Sequence, residues 1–163
     1  MVGVPKHYIP EQLNKIDKKH QKQELKKSRK LYKQGKYYTR KHFKSFKSKP
    51  TGHAANVRRI YKLDDNKSIK LNELIKKTHC SKKGLNKIIK KGMGAYYSSG
   101  SRPNQTAHSW GKARLYSAIT GGPASKVDKI ILENNCKKTS KALRLAKNPK
   151  ATITRKRVQL GGY

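Results

Sequence analysis

Residues 71–92 read LNELIKKTHCSKKGLNKIIKKG, and the spacing of apolar and capping residues in this stretch decides the fold. Asn72 is placed to cap a first short helix that carries Leu74 and Ile75. His79 and Cys80 make a turn, Ser81 caps a second helix with Leu85, Ile88 and Ile89, and Gly92 is its expected stop. Two short helices about a tight turn give a helix-turn-helix-like hairpin. Its second helix offers Lys82, Lys83, Asn86, Lys87 and Lys90 to a groove. Any small helical hairpin shows the same pattern, so DNA reading and plain packing both stay open.

The flanks extend the helical reading in both directions. Upstream, Ala54, Val57, Ile60 and Tyr61 predict a short helix over 53–61, followed by a turn-rich loop at Asp64 and Asp65. Pro10 suits a first helical position, with Glu11 behind it where the helix dipole favours an anion. A thin stripe of Leu13, Ile16, His20, Glu24 or Leu25, and Leu31 then runs to a stop at Gly35. Residues 1–9 read as an extended arm. Downstream, Gln105 or Thr106 opens a helix through Trp110, Leu115 and Ile119, stopped by Gly121 and Gly122. Pro123 starts another, whose apolar face is Val127, Ile130, Ile131 and Leu132. Ser140 caps a last one over Leu143 and Leu145. The tail from Asn148, with Thr152, Thr154 and Val158, reads as an extended arm or edge strand. The expected fold is mainly α: a small helical domain with the hairpin at its centre and extended basic arms at both ends. The expected boundaries are an arm and surface helix over 1–50, a compact core over 51–147 and a C-terminal arm over 148–163.

Charge bounds the function. Forty-two Lys and Arg face eight Asp and Glu in 163 residues, a net charge of +34. The excess is +13 over residues 1–50, +12 over 51–136 and +9 over 137–163, so no neutral domain hides behind one basic tail. So much like charge calls for a polyanion or an acidic protein face. Lys outnumbers Arg by 33 to 9, which favours neutralising phosphates and acidic surfaces over reading bases. Leu, Ile, Val and Phe number 30, enough for one small core with arms that order on a partner. The candidate contacts to nucleic acid or an acidic partner are Arg40, Lys41, Lys44, Lys47, Lys82, Lys83, Lys87, Lys90, Arg155, Lys156 and Arg157. In residues 36–50, KYYTRKHFKSFKSKP, the aromatics Tyr37, Tyr38, Phe43 and Phe46 alternate with lysines. Such interleaving suits single-stranded nucleic acid; an extended arm plugging its rings into pockets is the alternative.

The chemistry of enzymes finds little support. Residues 98–108 form a candidate anion loop: small residues, Arg102 and a following helix N-terminus, with Ser98, Ser99, Ser101, Asn104, Gln105, Thr106 and His108 as the other members. No GxxxxGK[ST] occurs, and a loop satisfying its own turn and capping hydrogen bonds reads the same way. Between Glu73 and Asp128 there is no carboxylate, so paired-acid and two-metal mechanisms lack their groups. His108 beside Ser109 or Ser101 is a weak nucleophile pair. The six histidines and two cysteines match no zinc spacing, and neither a metal nor a cofactor is expected. Cys80 and Cys136, 56 residues apart, can form one bond, but the expectation is two small apolar residues in a protein made in a reducing compartment. No apolar run spans a bilayer and no signal-peptide core opens the chain.

Three stretches carry a resemblance: GAYYSSGSRPNQTAHSWGKARLYSAITGG at 94–122, VDKIILENNC at 127–136 and KSRKLYKQGKYYTRKHFKSFKSKP at 27–50. They resemble a basic domain family, without an assigned activity, encoded by large nucleocytoplasmic DNA viruses of algae and amoebae and by some large tailed phages. The likeness covers roughly residues 5–146. Members usually carry glycine near the position of His79, which implies a distorted hairpin turn here. The resemblance implies viral origin and a place in the particle. Together with the charge it leads to a non-enzymatic structural protein of the virion, a minor capsid or core protein. It would be made in the host cytoplasm or nucleus and would bridge acidic capsid or core proteins, double-stranded DNA, or both. The alternatives are a helix-turn-helix DNA-binding protein and an anion- or nucleotide-binding enzyme built on the 98–108 loop.

Overall fold

A computed structural model describes residues 3–149 and 156–160. The described chain is mainly helical, as expected. Its order is β1 (Val4–Pro5), a 3₁₀ turn (Lys6–Tyr8), α1 (Lys15–Lys33), α2 (Gly52–Tyr61), α3 (Leu71–Thr78) and α4 (Lys82–Ser98). There follow α5 (Ala107–Ile119), α6 (Pro123–Val127), α7 (Lys129–Asn135), α8 (Lys141–Lys147) and β2 (Arg157–Val158). The chain divides into two compact units, one of residues 1–49, 93–110 and 153–163, the other of residues 50–92 and 111–152. These bounds differ from the arm, core and arm expected above, because 93–110 groups with both termini.

In the second unit a large apolar cluster forms the interior. Val57 and Tyr61 of α2, Leu74 of α3, Leu85 and Ile88 of α4, Leu115 and Ile119 of α5, Leu132 of α7 and Leu143 of α8 are its buried members. The Tyr61 hydroxyl donates to the Ile119 carbonyl at 2.5 Å, which satisfies the one polar atom this ring brings inside. Burial pushes that hydroxyl's pKa up. The hairpin starts two residues earlier than Asn72 implies: Lys70 is the N-cap of α3 and gives no side-chain cap. His79 takes the left-handed conformation (φ 55°) that glycine adopts without strain. Ser81 caps α4 as expected, accepting from the Gly84 N–H at 3.1 Å.

Gly84, inside α4, lets that helix approach α7. A β-carbon there would stand 2.8 Å from Asn135 Cγ and closer still to its Cβ. Asn135 also accepts from the Ser81 N–H at 2.7 Å through its carbonyl. The adjacent Cys136 is bonded to Cys80, so the expectation of two unlinked apolar cysteines is corrected. The α3–α4 turn and the end of α7 already pair as an antiparallel bridge at these two residues, which puts the thiols side by side. The expected single helix from Pro123 is also corrected. It breaks at Asp128, whose buried carboxylate turns inward, and Val127 and Ile130 are 67% and 70% exposed instead of forming an apolar face.

In the first unit both ends of the described chain meet. Val4 pairs with Val158 and Pro5 with Arg157 in a two-stranded antiparallel ladder, and the Lys6 N–H donates to the Lys156 carbonyl at 2.8 Å. The tail thus forms a strand at 157–158, while Thr152 and Thr154 lie outside the described residues. Pro10 opens a turn, not a helix. The cap of α1 is Asn14, whose side chain accepts from the Asp17 N–H at 2.8 Å, a better cap than any residue nearer Pro10. Gly92 does not stop α4, which runs on to Ser98. The helical cost of Gly92 and Gly94, about 1 kcal/mol each, is offset because Tyr96 becomes fully buried. Gly100 ends the run at φ 116°, where a β-carbon would lie 2.7 Å from Leu25 Cδ2. Val4, Tyr8, Ile9, Leu25 and Leu160 make the small apolar core, with Trp110 packed against it.

Candidate functional site

In the first unit the buried face of α1 presents Gln21, Glu24, Leu25 and Ser28, so its interior side is mostly polar. Arg40, on the segment after α1, meets this face. It is only 8% exposed, which corrects the expectation that it contacts a partner. Its guanidinium donates to Ser28 Oγ at 2.8 Å, to the Tyr96 carbonyl at 2.7 Å and to Ser101 Oγ at 2.7 Å. It also lies 3.8 Å from the centre of the Tyr96 ring, and the Tyr96 hydroxyl accepts from the Arg40 N–H at 3.0 Å. Burial lowers the Arg40 pKa, countered by Tyr96 and Glu24; from its usual height this leaves the group a cation. A buried guanidinium is tolerated where its donors meet acceptors and an aromatic face.

The loop at 98–108 owes its composition to this cation and to its own turns. The Ser99 carbonyl accepts twice from Arg29, at 3.1 and 2.8 Å. Ser101 is fully buried and donates onward to the Arg102 carbonyl at 2.8 Å. Asn104, left-handed at φ 62°, clamps the 43–46 segment. It accepts from the Phe43 N–H at 2.7 Å and donates to the Phe43 and Phe46 carbonyls at 3.0 and 2.8 Å. Thr106 caps α5, accepting from the Ser109 N–H at 3.1 Å, while Ser109 Oγ accepts from the Thr106 N–H and donates to Gln105 Oε1 at 2.9 Å. Ser98, Thr106 and His108 are exposed, and Arg102 is half-buried. Two of the loop's oxygens, the Ser99 carbonyl and Ser101 Oγ, face the Arg29 and Arg40 guanidinium groups. The Ser109 hydroxyl serves the cap and the Ser101 hydroxyl serves Arg40. Among the described residues no cluster of His, Cys, Asp and Glu is arranged to hold a metal ion.

The remaining predicted contacts do face outward. Lys41, Lys44, Lys47, Lys156 and Arg157 are exposed in the first unit, although Arg157 also donates to the Gly3 carbonyl. Lys82, Lys83, Lys87 and Lys90 are exposed along α4 in the second, opposite its buried Leu85 and Ile88. Arg155 lies outside the described residues.

The few carboxylates are largely occupied. Glu24 accepts from the Tyr38 hydroxyl at 2.9 Å and the Lys41 N–H at 2.9 Å; burial first, then this carboxylate, raise the Tyr38 pKa. Asp128 takes two hydrogen bonds from Arg114, at 2.8 and 2.9 Å, and one from Lys91 at 3.0 Å. Burial alone would raise its pKa, but these donors outweigh burial and hold the carboxyl below its usual range. Pattern reasoning misses both the Arg40 cluster and this triad. The only signal for the triad is an isolated Asp between two apolar runs.

The described residues also line open grooves. One of about 550 Å³ beside the disulfide is lined by Ile75, Lys76, His79, Asn134 and Lys137, and another of about 400 Å³ by His20, Gln23, Lys41 and His42. No helix among the described residues is long and apolar enough to cross a membrane. The chain matches a family of unknown function over residues 5–137. No curated protein and no solved structure matches it.

Proposed function

The chain belongs to that family, DUF5824, and from this premise we propose that it is a non-enzymatic basic structural protein of a large DNA virus particle. It would be a minor capsid or core protein that bridges acidic capsid surfaces and packaged DNA. The observation that carries the reading is the uncompensated charge: +34, with Glu24 and Asp128 turned to groups inside the fold. The lysines far outnumber the carboxylates that could pair with them, so the surface attracts a polyanion. Support against an enzyme comes from the 98–108 loop, whose Ser101 and Asn104 are engaged in holding the chain.

A second reading, a hairpin-type DNA-binding protein, is favoured by one feature. Lys83, Lys87 and Lys90 recur at three- and four-residue spacing on the exposed side of α4, a row that can follow a phosphate backbone.

Affinity for duplex DNA across roughly 50 to 200 mM salt tests both. Each neutralised phosphate contributes about −0.9 to the log–log slope. Replacing Lys82, Lys83, Lys87 and Lys90 by Ala flattens the slope by about one unit for each phosphate left unneutralised if α4 lies on DNA, and leaves it unchanged if other lysines do. Binding that ignores salt excludes DNA as the partner. Absence of the protein from purified particles removes the virion role.

A further inference from the structure

The aromatic–lysine segment singled out in the sequence has a surface consequence. α1 ends at Gly35 (φ 74°), whose N–H donates to the Tyr32 carbonyl at 2.9 Å, while the Lys36 N–H donates to the Leu31 carbonyl at 2.9 Å. This Schellman arrangement reverses the chain and brings Tyr37 back over the helix end. Its ring centre lies 6.2 Å from that of Tyr32 and 5.1 Å from that of Tyr97, at tilts of 52° and 49°. Tyr97 is carried by the last turns of α4, so residues from two parts of the first unit make one stepped row of rings. Tyr37 is 74% exposed, and Tyr32 is exposed beside it.

The surroundings of the row are cationic. Lys30, Lys33 and Lys36 are exposed around the same helix end, and no carboxylate occurs in the sequence between Glu24 and Asp64. An acidic protein would satisfy the lysines and leave the rings unused. A duplex offers phosphates but keeps its base faces stacked. Unpaired nucleotides present phosphate and a free ring face together, and every base has such a face.

We infer that the Tyr32–Tyr37–Tyr97 row is a stacking platform for single-stranded nucleic acid. The inference rests on the reading that the protein binds a polyanion, and it names the chemical class that this face takes.

The test compares fluorescence anisotropy of a labelled oligothymidylate and of a labelled duplex of equal length, using the full chain with Tyr37→Ala and Tyr37→Phe. Tyr37→Ala should weaken oligothymidylate binding about tenfold, leave duplex binding within about twofold, and leave the circular dichroism unchanged, since the ring is outside the core. Tyr37→Phe should keep wild-type affinity. A photoreactive 5-iodouridine oligonucleotide should crosslink to Tyr37 or Tyr97. Equal oligothymidylate affinity of Tyr37→Ala and wild type overturns the inference, as does equal loss for the duplex. Displacement of the oligonucleotide by polyglutamate at matched charge also overturns it and assigns the face to acidic protein. Failure of the wild type to bind either nucleic acid at roughly 50 mM salt removes the underlying polyanion reading instead.

Discussion

The two units are stabilised by different physics. Residues 50–92 and 111–152 bury a broad apolar cluster from α2, α3, α4, α5, α7 and α8, closed by the Cys80–Cys136 bond. Residues 1–49 and 93–110, with the tail, bury few apolar side chains and add Gln21, Glu24, Ser28, Arg40 and Ser101. Apolar contacts are non-directional and tolerate exchange of similar volumes. A buried guanidinium does not, because each unanswered donor or acceptor costs the full desolvation of that group. The apolar cluster of the second unit should therefore respond to mutation gradually, and the Arg40 cluster of the first abruptly.

The largest expected effect comes from the disulfide. It closes a loop 56 residues long, and opening it should cost about 4 kcal/mol through the freedom regained by the unfolded chain. Denaturant midpoints with and without reductant measure this. Amide exchange should rise in α3, α7 and α8 while that of α1 holds; an equal rise in α1 would break the distinction between the units.

Next in size is Arg40→Met, which keeps volume but strands Ser101 and the Tyr96 carbonyl. About 3 kcal/mol should be lost, with faster exchange over residues 96–106. Arg40→Lys should not rescue it, since one ammonium cannot replace the planar fork that reaches Ser28, Tyr96 and Ser101 together. Full rescue by Lys would show that charge alone matters there.

Asp128 gives a smaller, pH-dependent effect. Its folded pKa lies below the unfolded value, about 3.9, so its contribution is present above that pH and disappears as pH falls through the folded value. The wild type should lose stability below about pH 4 more steeply than Asp128→Asn, compared by thermal melts at matched ionic strength. Identical acid limbs would mean that Arg114 and Lys91 do not hold this carboxylate.

The smallest effect is a gain. His79 sits at φ 55°, where a side chain costs about 1 kcal/mol, so His79→Gly should raise the unfolding free energy by about that amount, read as a higher denaturant midpoint. A loss would show that the imidazole itself supports the turn, and would sharpen the view of what the groove beside the disulfide needs.

Legibility follows the same division. The helices of the second unit are readable because Val57, Leu74, Leu85, Ile88 and Leu132 recur at helical spacing and Ser81 and Ser140 cap where they stand. Gly92 misleads because it carries a stop signal whose modest local cost is overridden by Tyr96 at the far end of the same helix. The break at Asp128 escapes because nothing in PASKVDKIIL shows that Arg114 and Lys91 will reach that carboxylate. Arg40 reads as a surface cation, as isolated arginines usually are, because its acceptors come from residues 28, 96 and 101.

Local sequence therefore determined what depends on neighbours within a turn or two: helix type, caps at Asn14, Ser81, Thr106 and Ser140, and the reversal at Gly35; composition alone set the net charge of +34. Tertiary structure alone decided which cations are surface and which are structural, which cysteines bond and which tyrosines line up. Those outcomes depend on groups far apart in the chain, where burial changes the worth of a charge and no periodicity records the meeting.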